Sequence, residues 1–362
     1  MSHGNIDEAA APTGASWAAG GARPTEEERA AAAAVLRMIW GVHMSRAVYV
    51  VAALGIAELL AGGAMTAAQL AQATQAHEQS LYRVLRLLAS LGVLTEHEDR
   101  SFTLTILGER LRADVPASMR SWAMLVDCGG GMRSFEPIIE TVKTGEPGLD
   151  IAYGSGLFEF LAAHPDQAQQ FQAAMSERTA ALAPSVAAGY DFSAMRTVAD
   201  IGGGKGTLLA AILRAHGHLR GILFDLPSVA ADAAALLQAE GVADRCEIVA
   251  GDFFQDVPDG ADGYVLANVL HDWEDAASVR ILSACRRAMA KDGRVLIVER
   301  LIPDDPADAV PVLLSDLTML VITGGKERTN AEYGQLLADA GMTFASVQQV
   351  APPYGIIEGL AP

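Results

Sequence analysis

The chain has 362 residues, 51% of them hydrophobic, which is enough for two domains or for one large domain with a helical accessory part. Its formal net charge of −18 repels phosphate backbones and argues against nucleic acid as a partner. The three cysteines, Cys128, Cys246 and Cys285, are widely separated, which favours a reducing, cytoplasmic environment over a disulfide framework or a zinc site.

The first residues do not resemble a targeting segment. Residues 1–28 are rich in Ala, Gly and acidic side chains and contain no continuous apolar core of a secretory signal, so we expect a disordered tail. The longest apolar run, Ala47–Ala57, is much shorter than the ~20 residues that span a bilayer. We therefore expect no association with a membrane.

Residues 29–117 predict an all-α domain of the winged-helix type. Thr66 is a candidate N-cap, because its side chain can accept a hydrogen bond from the first helical turn. The predicted elements are a helical region over Arg29–Leu60, a helix that starts at Thr66, a helix over Ser80–Leu91 and a two-stranded wing formed by Leu91–Thr95 and Ser101–Leu104.

A winged helix can bind DNA or can serve as a platform for dimerisation. The helix over Ser80–Leu91 carries only Arg83 and Arg86, too few cations for the phosphate contacts that binding to DNA usually needs. Together with the acidic net charge, this favours a homodimer. A ligand-sensing transcriptional regulator is the alternative.

Residues 118–190 are again mostly helical, and we expect them to link the domains and to line a substrate pocket. Over residues 191–362, short apolar runs alternate with helices, which predicts an α/β domain with a Rossmann-like, doubly wound sheet. The predicted strands are Thr197–Ile201, Arg220–Asp225, Cys246–Ala250, Gly263–Leu270, Arg294–Glu299, Thr343–Val350 and Gly355–Leu360.

A glycine-rich loop follows the first of these strands and opens a helix. Gly202, Gly204 and Gly206 give the spacing G-x-G-x-G, whereas dinucleotide-binding loops have G-x-G-x-x-G. Asp200 at the strand end would repel a pyrophosphate but attract a cation. The loop therefore favours S-adenosylmethionine, which carries a sulfonium and an ammonium group, over the nicotinamide cofactor of a dehydrogenase.

Acidic residues also end the next two strands. Asp225 could accept hydrogen bonds from both hydroxyls of a ribose, and Asp252 with Phe253 could contact the edge and the face of an adenine. Asp and Gly are common in ordinary strand-to-helix loops. Three acidic strand ends in succession nevertheless favour a cofactor site.

His271 follows the apolar strand at Gly263–Leu270, at the edge where open α/β sheets bind ligands. A neutral imidazole is suited to taking the proton of a phenol during methyl transfer to oxygen. Glu299 and Glu327 could orient that imidazole if their loops converge. The competing interpretation is a loop histidine with a satisfied hydrogen bond and two solvated carboxylates.

From about Arg37 to Leu360, the chain resembles the plant-type small-molecule O-methyltransferases and their bacterial relatives in antibiotic biosynthesis. The resemblance covers the winged-helix region and five motifs in order. These are D-x-G-G-G-x-G, Phe-Asp-Leu-Pro, Gly-Asp-Phe-Phe, His-Asp-Trp and Gly-Gly-Lys-Glu-Arg-Thr. One position departs from the plant pattern, because Ala267 stands where plant members have a lysine that contacts the cofactor.

The resemblance implies a role for each of these sites. It implies His271 as the general base with Glu299 and Glu327 on either side of it, and an aromatic acceptor held between Met175 and Met319, which could equally be core methionines. The remaining implied residues are Asp200, Gly202, Gly204, Asp225, Leu226, Asp252 and Phe253 around the cofactor, and Trp122 and Phe158 in the acceptor pocket.

The sequence therefore predicts an enzyme that methylates a hydroxyl of a small, aromatic natural-product intermediate at the expense of S-adenosylmethionine. N-methylation by the same architecture is an alternative, because an amine needs less help from a base. We expect no metal, because no cluster of His, Cys and Asp has the spacing of metal ligands along the chain.

Overall fold

A computed structural model of the protein describes residues 24–128, 130–230 and 233–361. Most of the predicted disordered tail lies outside these residues. At its end the prediction is wrong, because the first helix begins at Glu26 and not at Arg29. Thr25 and Glu28 form a capping box, in which each side chain accepts a hydrogen bond from the other residue's backbone N–H.

The helices and strands of the described residues are as follows. The helices are α1 (Glu26–Ile39), α2 (Gly41–Ala53), α3 (Ile56–Leu60), α4 (Ala67–Thr74), α5 (Glu78–Ser90), α6 (Ile106–Glu109), α7 (Arg120–Leu125), α8 (Ile138–Thr144), α9 (Gly148–Tyr153), α10 (Leu157–Ala163), α11 (Pro165–Gly189), α12 (Thr207–Ala215), α13 (Pro227–Ala230), α14 (Ala233–Ala239), α15 (Asp275–Ala288), α16 (Pro306–Ile322) and α17 (Asn330–Asp339). The strands are β1 (Met65–Thr66), β2 (Leu94–Glu96), β3 (Ser101–Leu104), β4 (Thr197–Ile201), β5 (Arg220–Asp225), β6 (Cys246–Ala250), β7 (Gly263–Ala267), β8 (Arg294–Arg300), β9 (Thr343–Ala351) and β10 (Tyr354–Leu360).

The chain divides into two compact units at Ser45 and Arg46. Within the first unit, α1 has no buried residue, and its apolar side chains face solvent. Val35, Met38 and Ile39 of α1 are exposed by 55%, 78% and 63%, and Trp40 at its C-terminal cap by 53%. Large apolar side chains on one short helix form a surface that suits contact with another protein.

The second unit begins with the predicted winged helix. Thr66 caps α4 as predicted, because its hydroxyl accepts from the backbone N–H of Gln69. The wing has three strands in the order β1-β3-β2, one more than predicted, because Met65–Thr66 pairs with β3. Leu70, Leu85 and Phe102 are fully buried in the core of this region.

A seven-stranded sheet carries the second half of the chain, in the order β6-β5-β4-β7-β8-β10-β9. Strands β4 to β8 are parallel, and β10 runs antiparallel between β8 and β9. This is the predicted doubly wound arrangement. Since β4 is flanked by β5 on one side and β7 on the other, the strand order reverses at β4 and opens a crevice at its carboxyl end.

Two apolar layers cover the faces of this sheet. One layer includes Leu209 and Leu213 of α12, and the other includes Ile281 of α15 and Leu337 of α17. The central parallel strands β4, β7 and β8 are buried on both faces and are continuous apolar runs, which made them predictable from the sequence; β6, at the edge, is largely exposed. Within the described part of the chain, none of the helices combines the length and the apolar character that crossing a bilayer requires.

Candidate active site

The glycine-rich loop folds back on the end of the neighbouring strand. The backbone N–H of Gly202 donates to the carbonyl of Phe224 over 2.8 Å, and that of Gly204 donates to Asp225 Oδ2 over 2.8 Å. Gly202 has φ = 70° and Gly204 has φ = 60°, a conformation that favours glycine. A Cβ at Gly202 would lie 2.9 Å from Val269, so a side chain there would fill the crevice.

Asp200 is the penultimate residue of β4 and lies beneath this loop, with its carboxylate against Gly203. Its side chain is buried, and Oδ2 has no hydrogen-bond partner among the described residues. Burial, with the charge of Asp225, raises the pKa of Asp200 to about 7. A buried carboxyl group with an unused oxygen fits a cationic ligand, and S-adenosylmethionine has that chemistry.

The other predicted cofactor residues lie at the ends of neighbouring strands. Asp225 accepts from the backbone N–H groups of Gly204 and Leu226, and burial raises its pKa. Leu226 beside it is 42% exposed. Asp252 Oδ1 accepts from the backbone N–H of Phe254, and the ring of Phe253 faces Gly202, with 3.7 Å from its Cε1 to a Cβ built there.

His271 lies in a short 3₁₀ turn, Leu270–Asp272, and not directly at a strand end. The predicted strand Gly263–Leu270 is three residues too long, because β7 ends at Ala267 and Asn268 adopts φ = 53°. A positive φ reverses the direction of the backbone, which a strand cannot continue. This turn directs the imidazole into the interior, where His271 is 2% exposed.

Glu299 holds this turn through its backbone. Oε1 of Glu299 accepts from the N–H groups of Val269 and Leu270, both over 2.9 Å, and weakly from that of His271 over 3.4 Å. These N–H groups have no partner within so short a turn, so the carboxylate acts as its cap. Oε2 of the same side chain lies 3.5 Å from His271 Nδ1.

Glu327 contacts the imidazole directly. His271 Nδ1 lies 3.2 Å from Glu327 Oε1, which also accepts from the hydroxyl of Ser315 over 2.7 Å. With the proton assigned to Nδ1, where it can be donated to a carboxylate, the lone pair of the neutral ring is on Nε2. Glu299 on β8 and Glu327 in the loop between α16 and α17 therefore both reach His271, which is the convergence that their expected orienting role required.

Sequence reasoning missed Arg328, which supports the turn from its other end. The guanidinium is fully buried and donates to the carbonyls of Leu270 and Trp273 over 2.9 and 2.7 Å, and to Asp275 over 2.9 Å. The only signal was its position beside Glu327 in a conspicuous motif. Nothing in the sequence tells which carbonyls an arginine will reach.

The ionisable groups around His271 shift one another's pKa values. Burial alone would lower the pKa of His271, but the charges of Glu299 and Asp272 and the hydrogen bond to Glu327 raise it above its ordinary value. Burial raises the pKa of Glu299. At Glu327 burial is the largest single effect, but the hydrogen bonds from His271 and Ser315 and the charges of His271 and Arg300 together outweigh it and lower the pKa. The site thus favours a proton on the imidazole.

The donor atoms of His271, Glu299 and Glu327 all lie within 4.8 Å of one another, a grouping that the sequence spacing did not reveal. Three such donors could in principle hold a metal ion. Here the contacts with backbone N–H groups, Ser315 and the imidazole already engage one oxygen of each carboxylate. We therefore interpret the grouping as one that orients the imidazole.

The predicted acceptor residues are spread over four helices. Phe158 of α10 stacks on Trp273, with ring centroids 5.9 Å apart and planes 16° from parallel, so it does reach the segment that carries His271. Trp122 lies on α7, Met175 on α11 and Met319 on α16, all of them half-buried. Among the described hydrogen bonds and ring contacts, none joins these three side chains to His271.

Comparison with known proteins decides the family. A family model described as an O-methyltransferase domain matches residues 135–343, and a model of the O-methyltransferase dimerisation domain matches residues 36–114. The chain belongs to the O-methyltransferase family. Similar proteins include a mitomycin biosynthesis 6-O-methyltransferase of Streptomyces lavendulae, 41% identical over 92% of this chain and 96% of that protein.

Other relatives of this O-methyltransferase differ in acceptor. A phenazine O-methyltransferase of Lysobacter antibioticus is 41% identical over 92% of this chain and 98% of its own length. An 8-amino-8-demethylriboflavin N,N-dimethyltransferase of Streptomyces davaonensis is 36% identical over 92% and 97%. The family fold therefore serves named O- and N-methyltransferases.

Solved structures agree with the fold of this O-methyltransferase. The mitomycin 7-O-methyltransferase matches with a TM-score of 0.88 at 40% identity, covering 93% of this chain and 99% of that one. An O-methyltransferase from neocarzinostatin biosynthesis, solved with S-adenosylmethionine and 2-hydroxy-5-methyl naphthoic acid, matches with a TM-score of 0.78 at 36% identity, covering 88% and 96%. S-adenosylmethionine is the cofactor of this family.

Proposed function

We propose that this protein transfers the methyl group of S-adenosylmethionine to a hydroxyl of a small aromatic acceptor, with His271 as the general base. The observation that carries the proposal is the arrangement of His271. Its Nδ1 faces two buried carboxylates, while the turn that holds it lies at the carboxyl edge of β7, beside the glycine-rich loop. A base and a cofactor site at one sheet edge suit group transfer between two ligands.

The residues around the loop would hold the cofactor. Asp200 offers a carboxylate to a cationic group, Asp225 offers oxygens to ribose hydroxyls, and Asp252 with Phe253 offers an edge and a ring to the adenine. S-adenosylmethionine, when bound, supplies a methyl group on a positively charged sulfur. The glycines leave the backbone room to approach that ligand closely.

The proton balance assigns the role of His271. As the acceptor oxygen bonds to the methyl carbon, the bond from carbon to sulfur breaks and its electron pair stays on sulfur. The hydroxyl proton moves to Nε2 of His271, and the imidazolium is stabilised by Glu299 and Glu327. The products are the methyl ether, S-adenosylhomocysteine and a protonated histidine, which then returns its proton to water.

The class of acceptor follows from the aromatic side chains and from the relatives. Phe158 and Trp273 stack near the base, and Phe254 meets Trp273 edge-on with centroids 4.7 Å apart. Flat rings bind well against such side chains. The relatives are named for phenazine, mitomycin and naphthoic acid chemistry, which supports an aromatic natural-product intermediate with a hydroxyl. The same names give no support to the regulator alternative.

The substitution His271→Ala tests the proposal. We expect a loss of turnover of about 10²- to 10⁴-fold with phenolic acceptors, because the general base is removed. Calorimetric titration should show unchanged affinity for S-adenosylmethionine, and a chelator should not affect the wild type. Turnover near the wild-type rate in the variant would show that His271 is not the base.

N-methylation is the second candidate, because a relative at 36% identity is a named N,N-dimethyltransferase. An amine with a free lone pair needs no base before attack, so the buried carboxylate pair behind His271 favours oxygen. Mass spectrometry and NMR of the product from an aminophenol would locate the methyl group. Exclusive methylation of nitrogen would favour this second candidate.

We also propose that the enzyme works as a homodimer in the cytoplasm. The match of residues 36–114 to a dimerisation domain and the exposed apolar side chains of α1 support the dimer. The free cysteines support a reducing compartment. The acidic charge and the sparse cations of α5 support a partner set without nucleic acid or membrane.

A further inference from the structure

Ser315 on α16 directs its hydrogen bond away from its own helix. Thr318 of the same helix shows the usual alternative, since its hydroxyl donates to the carbonyl of Leu314 over 2.9 Å. The hydroxyl of Ser315 donates instead to Oε1 of Glu327 over 2.7 Å. That length is typical of a hydrogen bond from a hydroxyl to an ionised carboxylate. Ser315 therefore binds the carboxylate that contacts the proposed base.

Arg300, the last residue of β8, fixes the direction of that bond. Its Nη1 lies 3.2 Å from the hydroxyl oxygen of Ser315 and 3.6 Å from Oε1 of Glu327. A guanidinium can only donate, and a serine hydroxyl has a single proton. Because the oxygen of Ser315 accepts from Arg300, its proton is left for Glu327. The hydrogen bonds thus run from Arg300 to Ser315 and from Ser315 to Glu327.

Tyr354 on β10 holds Arg300 in place. The two residues are partners across the antiparallel pair of β8 and β10, and Cζ of Arg300 lies 5.0 Å from the ring centroid. The hydroxyl of Tyr354 donates in turn to Oδ1 of Asn268 over 3.1 Å. The side chain of Arg300 is only 15% exposed. Arg300 is therefore a fixed positive charge beside Glu327 and not a mobile surface side chain.

Ser315 and His271 share one oxygen of Glu327. Oε1 accepts from Ser315 over 2.7 Å and lies 3.2 Å from Nδ1 of His271, whereas Oε2 has no hydrogen-bond partner among the described residues. A charge-assisted hydrogen bond from an imidazolium would be shorter, at about 2.7–2.9 Å. The serine thus has the stronger bond to this oxygen, and the longer contact fits a neutral imidazole.

The hydroxyl and the positive charge both weaken Glu327 as an acceptor for the imidazole. Burial alone would raise the pKa of Glu327, but the hydrogen bond from Ser315 and the charge of Arg300 are among the effects that lower it. A less basic carboxylate stabilises an imidazolium less. The two residues therefore oppose the retention of a proton on His271, which the surrounding carboxylates favour.

We propose that Arg300 and Ser315 are positioning residues that act through Glu327 to keep His271 in its neutral, proton-accepting form. A base that stays protonated cannot take the next proton, so its return to the neutral form is part of every turnover. This inference rests on the proposed function, in which His271 takes the proton of the acceptor hydroxyl. It adds the pair of residues that restore the base.

Ser315→Ala and Arg300→Met test the inference through the acidic limb of kcat/KM. Because both changes strengthen Glu327 as an acceptor, the limb should move to higher pH, by about half a pH unit for Ser315→Ala and about one for Arg300→Met. One pH unit lowers kcat/KM about 10-fold at a fixed pH on the limb. The plateau at high pH should stay close to that of the wild type. A merely structural loss would lower the plateau and leave the limb in place.

Conservative variants and matched controls accompany these measurements. Ser315→Thr keeps the hydroxyl and Arg300→Lys keeps the charge, so each should return the limb toward its wild-type position. Thr318→Ala removes a hydroxyl bonded within α16, and Arg214→Met removes an exposed guanidinium paired with Glu240. Neither control should move the limb.

Other titratable and charged groups around His271 and Glu327 are the same in every variant, so they do not account for a difference between variants. Besides Tyr354 of β10, they are Asp272 of the histidine turn, Glu299 of β8, Arg178 of α11, Asp316 of α16, Arg328 of the loop after α16 and Tyr333 of α17.

Titration of the His271 imidazole by NMR separates this inference from the proposed function. His271→Ala identifies its signal among the eight histidines. If the midpoint rises in Ser315→Ala and Arg300→Met but the limb of kcat/KM does not follow, the inference holds and His271 is not the base. A midpoint that stays in place or falls in either folded variant would overturn the inference, while the proposed function would still rest on the result for His271→Ala.

Discussion

At the scale of single residues, the base site is an excess of buried negative charge. Asp272, Glu299 and Glu327 surround an imidazole that is itself 2% exposed. Arg178 and Arg300 offset two of these charges, and a proton on His271 offsets the third. Proton transfer from the acceptor therefore brings the cluster close to neutrality, which is an electrostatic drive toward the reacting state.

Glu327→Gln should shift the pH profile of turnover. The folded-state pKa of His271 is raised above 6.5. The ion pair between protonated His271 and its carboxylates is therefore fully present below pH 6.5 and is lost as pH rises through the folded pKa. The base form therefore accumulates only above it, and kcat/KM should rise with pH to a plateau. The amide removes the acceptor charge of Glu327, so the acidic limb should move to lower pH and the plateau should fall about 10-fold or more.

The profile of kcat/KM between pH 5 and 9 checks this expectation. Asp304→Asn, at an exposed carboxylate, serves as the control. An acidic limb that does not move in the Gln variant would mean that Glu327 does not set the pKa of His271.

Asp200→Asn should make the cofactor-free protein more stable and should weaken its binding of S-adenosylmethionine. The pKa of Asp200 is raised to about 7 from 3.8, so ionising it in the free protein costs about 4 kcal/mol at most above pH 7. That cost appears as pH rises above 3.8 and is absent in the amide. We expect a higher melting temperature for the variant at pH 8 without cofactor, and weaker binding of S-adenosylmethionine.

Thermal melts at pH 5 and pH 8 and calorimetric titrations at pH 8 measure both effects. In the wild type, cofactor affinity should rise with pH through about 7, since binding favours the carboxylate. Unchanged affinity together with an unchanged melting temperature in the variant would contradict the role of Asp200.

At the scale of elements, one turn of three residues is fixed from two sides. Glu299 on β8 binds the N–H groups at its start, and Arg328 binds the carbonyls at its end. The loop between α16 and α17 closes over it at Gly325, where a Cβ would meet the carbonyl oxygen of His271 and the backbone of Asp272. The position of the base is therefore a property of three segments that are distant in sequence.

Gly325→Ala should disturb this packing. Because the added methyl group meets backbone atoms that cannot rotate away, we expect a loss of about 1–3 kcal/mol in stability and a lower kcat. Gly334→Ala is the matched control: it lies within α17, and its Cβ would have 3.9 Å of space to Phe344. Alanine there should stabilise by about 0.5–1 kcal/mol. Equal melting temperatures for the two variants would rule out the close approach.

Elements with a strong local signal were predictable, and contacts between them were not. Three strands, β4, β5 and β6, have their predicted bounds, because each is a short apolar run that ends where a loop or a turn begins. The end of β7 was misplaced, because the apolar run continues through Val269 and Leu270 beyond Asn268, whose positive φ ends the strand. Arg328 and Arg300 went unnoticed, since the direction of a long side chain depends on packing that the sequence does not state.

At the scale of the whole molecule, the net charge of −18 and the exposed apolar side chains of α1 accompany a match to a dimerisation domain. The fold matches that of relatives over nearly their full length, with TM-scores of 0.88 and 0.78. Domains 1–28, 29–117, 118–190 and 191–362 stay a prediction. The family models match residues 36–114 and 135–343.

The proposed homodimer predicts the mass of the protein in solution. Light scattering after size exclusion should give twice the mass of one chain at micromolar concentration. Met38→Glu with Ile39→Glu places two charges among side chains that are 78% and 63% exposed, and should raise the dissociation constant at least 10-fold. Glu27→Gln on the same helix is the control. A wild type that is monomeric at high concentration would contradict the dimer.

The support of the histidine turn by β8 and by Arg328 has a consequence for how such enzymes diversify. The proton acceptor is anchored through its own main chain from the sheet side, while the helices α10, α11 and α16 carry the side chains expected to face the acceptor. Substitutions on those helices can change which acceptor binds without moving the imidazole of His271. A mutational library confined to the helices should therefore yield altered selectivity far more often than inactive protein.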